Sequence, residues 1–468
     1  MENFDNVALR IRRNGCAVTT VSPPFRTAHW PSLEALAKEL GLIDVSVDTI
    51  DRPEAQVKLL TALAERVPGC EAFQPARVGW RLSRQEIRGR EAYRQNHRMV
   101  TFLGRCSREV MLEGLEAATH GLSPKASVEV QFKESDILAD WSLRADQVRE
   151  AYSLLFQAKQ LRVKVLVFSE LRGVDESLVE FVYEHPPTRI AWLATALAEC
   201  ASAAELGREF ETDASFANLG RLSNAGIWPH VVLPISRANV RILNEIVLTV
   251  LEVTRGASIE LLPTPCIRQL AHVPAPPEPD DYASALVGLY NDTGTPPHLV
   301  SPMSWVAARM NSEVPLISSA EAVGAHLVIL PDGSAYPSEW ALGFERHCLG
   351  NVLASQEPMR WERLDALPET VDRSVRSEGC SRCDWRYRCG GLDPQSFPRP
   401  EDQQSPAPGS VVRKLYCQPR KRLFEEMFWA RIDAAKANGG QAGRERLTLL
   451  DQGVAFQPVD PANVVSAA

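Results

Sequence analysis

The sequence of 468 residues lacks several features that define large classes of protein. It has no apolar run of the roughly 18 residues that a membrane-spanning helix needs. Its first residues, MENFDNVALRIRRNG, contain no apolar signal-peptide core. Basic residues are not in excess, because the formal net charge is -8, so a general affinity for nucleic acid is not expected. These absences predict a cytoplasmic protein that binds neither membranes nor nucleic acid.

The sequence also lacks the short motifs of several common enzyme classes. It contains no GxSxG nucleophile elbow, no Walker loop and no GxGxxG dinucleotide motif, and its nine histidines form no HxxxH or HExxH pair. Nucleophile-elbow hydrolases, P-loop NTPases, dinucleotide-dependent enzymes and HExxH metalloproteases are therefore not expected. No catalytic residue is assigned from the sequence.

The composition that is present is typical of a folded protein with two or three domains. Hydrophobic residues make up 45% and charged residues 24% of the chain. Near the N-terminus, ALRIRRNGCAVTTV predicts two strands around an Asn–Gly turn. The following PSLEALAKELG predicts a helix with one apolar face that ends at Gly41. Together these segments indicate a small α+β domain.

From residue 126 onward, apolar strand patterns alternate with helical patterns. The predicted strands are ASVEVQF, VKVLVFSE, RIAWLATA, PHVVLPI and SIELLPTP. This alternation predicts an α/β fold with a parallel sheet, either doubly wound or barrel-like. The proline-rich HVPAPPEPDD breaks the pattern and indicates a boundary, and HLVILPDGSAYP further on predicts a hairpin.

Four of the ten cysteines have a spacing that suits a metal centre. They follow the pattern Cys380-x2-Cys383-x5-Cys389, with Cys417 further along the chain. Four thiolates can hold either a tetrahedral zinc ion or a 4Fe–4S cluster. Zinc ribbons usually pair two C-x2-C motifs, so the single downstream cysteine favours an iron–sulfur cluster. The remaining cysteines are isolated and are predicted to be buried thiols, with a leftover metal ligand as the alternative for Cys266; they are Cys16, Cys70, Cys106, Cys200, Cys266 and Cys348.

The cysteine region resembles the SPASM domain, the C-terminal extension of many radical SAM peptide-modifying enzymes. The resemblance extends to PDGSAYPSEW with CLGNV upstream, which is similar to the family's hairpin and the turn after it. It also includes YCQPRKRLFEEMF downstream, which is similar to the family's closing cysteine and helix. The βα array before it resembles the partial (β/α)6 barrel of radical SAM proteins.

The resemblance implies four segments. They are an N-terminal α+β domain at 1–122, a radical SAM-like partial TIM barrel at 123–272, a SPASM-like iron–sulfur domain at 273–435 and a flexible tail at 436–468.

The resemblance implies one auxiliary 4Fe–4S cluster and not the usual two. The family's second auxiliary cluster has its complete ligand set here, on Cys380, Cys383, Cys389 and Cys417. The first cluster requires cysteines at positions that carry Ser338 and Asp393 in this chain.

The barrel departs further from the family. Radical SAM enzymes carry C-x3-C-x2-C after their first strand, and these thiolates hold the cluster that binds S-adenosylmethionine. After ASVEVQF this chain reads KESDILADWSLRADQV, without a cysteine. The family's GGEP turn after the second strand is replaced by SELR at 169–172. Both departures put the binding of S-adenosylmethionine in doubt.

These features predict a degenerate radical SAM/SPASM homologue with an accessory or peptide-binding role. Its expected partners are a ribosomally made precursor peptide, an active radical SAM maturase, or both. The arginine-rich stretch at 84–98 suits an acidic leader peptide or partner, although a solvated helix face also explains it. Two alternatives remain open: an active maturase with an atypical cofactor site, and an iron–sulfur electron-transfer protein. Asn239, after PHVVLPI, either caps a loop or lies near a cofactor.

Overall fold

The computed structural model describes most of the chain between residues 95 and 354, together with parts of the N-terminal region and a long C-terminal helix. The described residues are 7–12, 15–20, 27–30, 33–42, 59, 62, 95–134, 137–186, 188–254, 256–264, 274–292, 295–311, 325–342, 345–354, 359–361, 363, 383, 385, 389 and 408–437.

The N-terminal region contains a small antiparallel sheet followed by a helix. Its elements are β1 (Val7–Arg12), β2 (Gly15–Thr20), β3 (Thr27–Trp30) and α1 (Leu33–Glu39). Strands β1 and β2 form the hairpin that the Asn–Gly turn predicts, and β3 pairs with β2. Helix α1 ends as predicted at Gly41, which has a left-handed φ of 71°. The amide of Leu42 then bonds to the carbonyl of Ala37 at 2.8 Å, which closes the last turn.

Most of the described chain forms one sheet whose strands alternate with helices. The strands are β4 (His97–Leu103), β5 (Ser127–Lys133), β6 (Arg162–Ser169), β7 (Thr188–Leu193), β8 (His230–Ile235), β9 (Ile259–Pro263), β10 (Val300–Ser301), β11 (His326–Ile329), β12 (Ser334–Tyr336) and β13 (Gly350–Asn351). The helices are α2 (Arg108–Thr119), α3 (Trp141–Tyr152), α4 (Glu176–Glu184), α5 (Ala203–Thr212), α6 (Ala214–Asn224), α7 (Leu243–Thr254), α8 (Pro279–Asn291), α9 (Met303–Asn311) and α10 (Pro408–Ala437).

The strand order decides between the two architectures that the sequence leaves open. The order across the sheet is β10-β9-β8-β7-β6-β5-β4-β11-β12-β13, and all pairs from β10 to β11 are parallel. Consecutive strands from β4 to β9 are therefore neighbours. A doubly wound sheet would reverse its order at a switch point. The six strands β4 to β9 instead follow one another as in a (β/α) barrel, which confirms the predicted fold class.

The two faces of the sheet differ in polarity because side chains alternate along each strand. In β5, Val128 and Val130 are fully buried under the helices, whereas Glu129 and Lys133 on the other face are partly exposed. Helix α2 lies close to the sheet at Gly114. A Cβ atom there would be 2.4 Å from Cδ1 of Ile329, so any larger residue would have to displace the Ile329 side chain.

The barrel begins one strand earlier than the sequence analysis expects. Strand β4 (His97–Leu103) pairs parallel with β5 along its whole length, from His97↔Ser127 to Leu103↔Lys133. A domain boundary between residues 122 and 123 would separate these two paired strands. ASVEVQF is therefore the second strand of the barrel and not the first. The pattern of β4, HRMVTFL, was missed because an arginine-rich stretch leads into it.

The C-terminal region is attached to the barrel by a hairpin and a long helix. Strands β11 and β12 form the predicted hairpin around Asp332–Gly333, and β11 also pairs parallel with β4. Helix α10 packs on α8 and α9, and its Phe424 ring stacks on Trp385 at a centroid distance of 5.0 Å. None of the helices within the described residues is long and apolar enough to cross a membrane.

Several predicted segments lie outside the described residues. They are the strand pattern IDVSVDTI, most of the helix pattern PEAQVKLLTALAERV, the arginine-rich stretch as far as residue 94, and the tail beyond residue 437.

Candidate functional site

The carboxyl ends of the parallel strands lie at one end of the barrel. In α/β barrels this end carries the ligand and catalytic groups, because the βα loops converge there. The loops after β4, β5 and β6 are therefore the places where a cofactor site is expected.

The loop after the first barrel strand carries one cysteine, in the sequence GRCSREVM. Cys106 is buried, and its thiol lies 3.9 Å from the carbonyl oxygen of Ile329. Burial first, and then the charge of the nearby Glu134, raise the pKa of this thiol to about 12. A thiol that stays protonated at neutral pH is a poor metal ligand. The family's C-x3-C-x2-C is thus missing here as well as after ASVEVQF.

The loop after the second barrel strand carries a buried ion pair. Glu134 follows β5 directly and contacts the guanidinium of Arg144 on α3 at 2.7 Å; 15% and 8% of the two side chains are exposed. Arg144 also donates to the carbonyl oxygen of Cys106 at 3.1 Å. The pair therefore connects the loops after the first two strands, at the position where the family has GGEP.

These residues do not fit the cluster that binds S-adenosylmethionine. A cavity of about 300 Å³ at this position is lined by Arg105, Cys106, Ser107, Arg144 and Gln147. It offers a single protonated thiol where three thiolates are needed. It also lacks the glycine pair, because the chain after the second strand reads KESD.

Removing one partner of this ion pair is expected to destabilise the barrel strongly. Glu134→Gln leaves the buried Arg144 charge without its counter-charge, which costs roughly 3 kcal/mol of the free energy of unfolding. Urea denaturation of the purified variant measures this loss. The matched control is Glu116→Gln, which removes the more exposed Lys159–Glu116 pair and should cost less than about 1 kcal/mol. The double variant Glu134→Gln/Arg144→Met should be more stable than Glu134→Gln alone. Equal losses of unfolding free energy in Glu134→Gln and Glu116→Gln would contradict a stabilising role of the buried Glu134 carboxylate.

A second ion pair links the barrel to the C-terminal hairpin. Lys133, the last residue of β5, contacts Glu339 at 2.5 Å, with 14% of each side chain exposed. The same ammonium lies 4.7 Å from the centre of the Phe168 ring on β6. Ser338, at the position of the family's hairpin cysteine, is fully buried, and its hydroxyl has no hydrogen-bond partner among the described residues.

A cavity of about 290 Å³ opens at the carboxyl ends of β6 and β7. Its lining includes Trp192, Leu193, Glu199, Asp213 and Ser215. Glu170, from the SELR segment, also lines it and pairs with Arg172 at 2.7 Å. This segment follows the third barrel strand, so it does not occupy the GGEP position that the sequence analysis gave it.

Asn239 caps a loop. Its side-chain oxygen accepts the amide of Ser236 at 2.8 Å, and its side-chain nitrogen donates to the carbonyls of Leu197 and Pro234. It is fully buried, so all its polar atoms serve the backbone around β8. Of the two alternatives for Asn239, the structure supports the loop cap.

Three of the four predicted cluster ligands lie within the described residues. Cys383, Cys389 and Cys417 are half-buried free thiols, and Cys380 lies outside the described residues. The amide of Cys389 bonds to the carbonyl of Trp385 at 2.7 Å. Cys417 lies on α10, about two turns before Phe424, which stacks on Trp385. Helix α10 and the segment that precedes it thus carry cysteines from both parts of the motif.

The cysteines lie close enough to influence one another electrostatically. Burial raises the pKa of the Cys389 thiol to about 11; Arg420 lowers it, whereas Cys383 and Cys417 raise it. Within the described part of the chain, no three histidine, cysteine or carboxylate side chains are grouped closely enough to hold a metal ion. The cluster site on Cys380, Cys383, Cys389 and Cys417 therefore stays a prediction from the sequence, because the three described cysteines do not form such a group and Cys380 lies outside the described residues.

Among the isolated cysteines, two of the predictions of burial are confirmed. Cys106 and Cys200 are buried, and burial raises the pKa of Cys200 to about 11. Cys348 is half-buried, because it lies beside β13 near the surface. Cys16 lies in described strand β2, but its side chain is not among those described, and Cys70 and Cys266 fall outside the described residues.

Several residues of the site were missed in the sequence. Arg144 and Glu339 lie far from any motif, so only the fold brings them to the barrel end. Lys133 and Glu134 had a usable signal, because they directly follow an apolar parallel strand, where functional residues are expected. Arg420 had a weaker one, since it lies three residues after Cys417 on a predicted helix.

Comparison with solved structures finds similar folds. The chain is similar to native anSMEcpe with bound AdoMet, with a TM-score of 0.51 and 13% identity; the match covers 73% of this chain and 99% of that chain. It is also similar to native anSMEcpe with bound AdoMet and Kp18Cys peptide, with a TM-score of 0.49 and 14% identity, over 72% and 99% of the two chains. Streptococcus suis SuiB bound to precursor peptide SuiA gives a TM-score of 0.39 and 12% identity, over 84% and 95%.

No protein-family model and no curated protein sequence matches the chain.

Proposed function

We propose that this chain, whose fold is that of a radical SAM/SPASM maturase, is an accessory subunit that binds a peptide or a partner maturase and performs no radical chemistry itself. The observation that carries the proposal is the Glu134–Arg144 pair, with its bond to the carbonyl of Cys106. This ion pair lies where the cofactor site is expected, and a carboxylate and a guanidinium cannot replace three thiolates as cluster ligands. A cytoplasmic location is part of the same proposal.

The intact barrel supports a binding role. Its apolar core is continuous from β4 to β10, and the cavity above β6 and β7 remains open beside Glu199. A binding function requires this surface, whereas it does not require the cluster ligands after the first strand. We assign the peptide, or a chain segment of the partner, to this end of the barrel.

The proposal is tested by coexpressing the chain with the radical SAM maturase and precursor peptide that are encoded nearest to it. The components are expected to elute together in size-exclusion chromatography, with the complex weakened by salt because charged surfaces contribute to it. Glu199→Arg, at the cavity, should weaken coelution. Glu252→Arg makes the same charge change at an exposed position of α7, near the opposite end of the barrel. This control variant should not weaken coelution. Separate elution of all components at micromolar concentration, with peptide modification unchanged after deletion of this gene, would reject the accessory role.

A second candidate function is electron transfer through the C-terminal cluster. The observation that favours it is the position of Arg420 on α10, three residues after Cys417 and on the same helix face. Positive charge at this place would ease the reduction of a cluster. This candidate is compatible with an accessory subunit that supplies electrons to its partner.

A further inference from the structure

The cavity at the carboxyl ends of β6 and β7 carries an excess of acidic side chains. The carboxylates of Glu170, Glu199 and Asp213 line it, against the single guanidinium of Arg172. Glu170 and Arg172 pair with each other, so their charges offset. Helix α5 ends and α6 begins beside Asp213, so the opposite dipole ends of the two helices also offset each other there. The charges of Glu199 and Asp213 therefore make the cavity negative.

A buried hydroxyl lines the same cavity. Ser215 is 4% exposed, and its amide donates to the Oδ1 atom of Asp213 at 2.8 Å. No hydrogen bond of the Ser215 hydroxyl is found among the described residues. A buried hydroxyl without a partner costs free energy. A ligand that donates a hydrogen bond inside the cavity would remove this cost.

The turn that brings Glu170 to the cavity is held in a strained conformation. Leu171 has a left-handed φ of 59°, which is rare for a residue other than glycine. The hydroxyl of Ser169 accepts the amide of Leu171 at 2.9 Å, and the side-chain nitrogen of Asn218 on α6 donates to the carbonyl of Leu171 at 2.7 Å. Both hydrogen bonds are buried, so they fix this wall of the cavity before a ligand enters.

The size and the remaining walls of the cavity suit one long side chain. Its volume of about 290 Å³ is at the low end of the range for small-molecule sites. Leu193, Ala196, Ala198 and Pro274 supply apolar lining. Lysine and arginine side chains combine an apolar stem with a charged end, so they match both the apolar and the acidic parts of this lining.

We propose that this cavity binds a lysine or arginine side chain of the peptide, with the charged end at Glu199 and Asp213 and a hydrogen bond to the hydroxyl of Ser215. The inference rests on the proposed function, because it names the side chain that the cavity selects from the bound peptide. Ammonium and guanidinium groups carry only hydrogen-bond donors, which match the carboxylate and hydroxyl acceptors. An apolar side chain leaves these acceptors unpaired, and an acidic one brings like charges together.

The test is saturation-transfer NMR on the purified full-length protein with three probes, the Nα-acetyl methylamides of lysine, arginine and norleucine. Norleucine has an apolar chain like that of lysine without the ammonium group, so the comparison isolates the charge. Both cationic probes are expected to bind about tenfold more tightly than the norleucine probe, because charge-assisted hydrogen bonds are the strong ones. The tighter of the two cationic probes identifies which side chain the cavity prefers.

Three variants locate the binding of the lysine probe. Glu199→Gln should weaken it about threefold, as expected for an exposed ion pair. Ser215→Ala should weaken it about tenfold, because it removes a buried hydrogen bond to a charged group. The matched control is Glu211→Gln, which removes an exposed carboxylate near the end of α5 that does not line the cavity, and it should leave the affinity unchanged.

Equal affinities for lysine and norleucine would overturn the inference, and so would cationic probes that do not bind. Equal losses in Glu199→Gln and Glu211→Gln would show a general effect of acidic charge and would also overturn it. The probes need no partner, so the accessory role is judged separately by coelution. Lysine binding with separate elution would reject the accessory role and keep the cation site, and coelution without lysine binding would do the reverse.

Discussion

Anaerobic reconstitution is expected to load about four irons per chain, the content of one 4Fe–4S cluster. The reason is that one ligand set is complete in the sequence, at Cys380, Cys383, Cys389 and Cys417, while the other has Ser338 at a buried position. Cys383→Ala should abolish most of the brown absorbance, because it removes one of the four predicted cluster ligands. Iron, sulfide and zinc analysis, with the absorbance spectrum, gives the measurement.

The matched control is Cys348→Ala, which removes another half-buried thiol from the C-terminal region and should leave the iron content unchanged. About one zinc with no iron would reject the iron–sulfur cluster. About eight irons would show that a second cluster forms despite Ser338. Equal iron loss in both variants would show that general destabilisation, and not ligation, explains the effect.

The fold was predictable because its signals are local. Apolar strands of the parallel type, such as VKVLVFSE and PHVVLPI, recur between amphipathic helices, and this pattern alone predicts a parallel sheet. The hairpin at Asp332–Gly333 and the helix end at Gly41 follow from turn chemistry. Strand order is not local, so the choice between barrel and doubly wound sheet required the structure.

The position of the first barrel strand shows where sequence patterns fail. HRMVTFL begins with two polar residues after an arginine-rich stretch, so its hydrophobic signal is short. Only its pairing with β5 identifies it. This shift moved the expected cofactor loops by one strand, and it brought Cys106 into the first of them. The conclusion that three thiolates are missing holds with either assignment, because neither loop contains more than one cysteine.

The ion pairs of the site could not be predicted for a physical reason. Glu134 and Arg144 are ten residues apart across a loop, and Lys133 and Glu339 are more than two hundred apart. Charged residues in such positions are usually solvated. Their burial becomes evident only when the βα loops and the C-terminal hairpin are seen to meet at one end of the barrel.

Incubation with S-adenosylmethionine and dithionite is expected to produce 5′-deoxyadenosine only at background level. Reductive cleavage needs a low-potential cluster on three thiolates, and the loop after the first strand offers only the protonated, buried Cys106. Carboxylates such as Glu134 hold iron–sulfur clusters poorly, and Glu134 is already paired with Arg144. Loading of the C-terminal cluster should not change this result.

The most direct test of the account is therefore the chromatographic measurement of 5′-deoxyadenosine from iron-loaded protein, beside an intact radical SAM enzyme treated in the same way. Product is expected at the level of the enzyme-free control, both for the unsubstituted protein and for Cys106→Ala. Turnover well above this level that survives removal of contaminating radical SAM enzymes and disappears in Cys106→Ala would contradict it. That result would establish an active maturase with an atypical cofactor site.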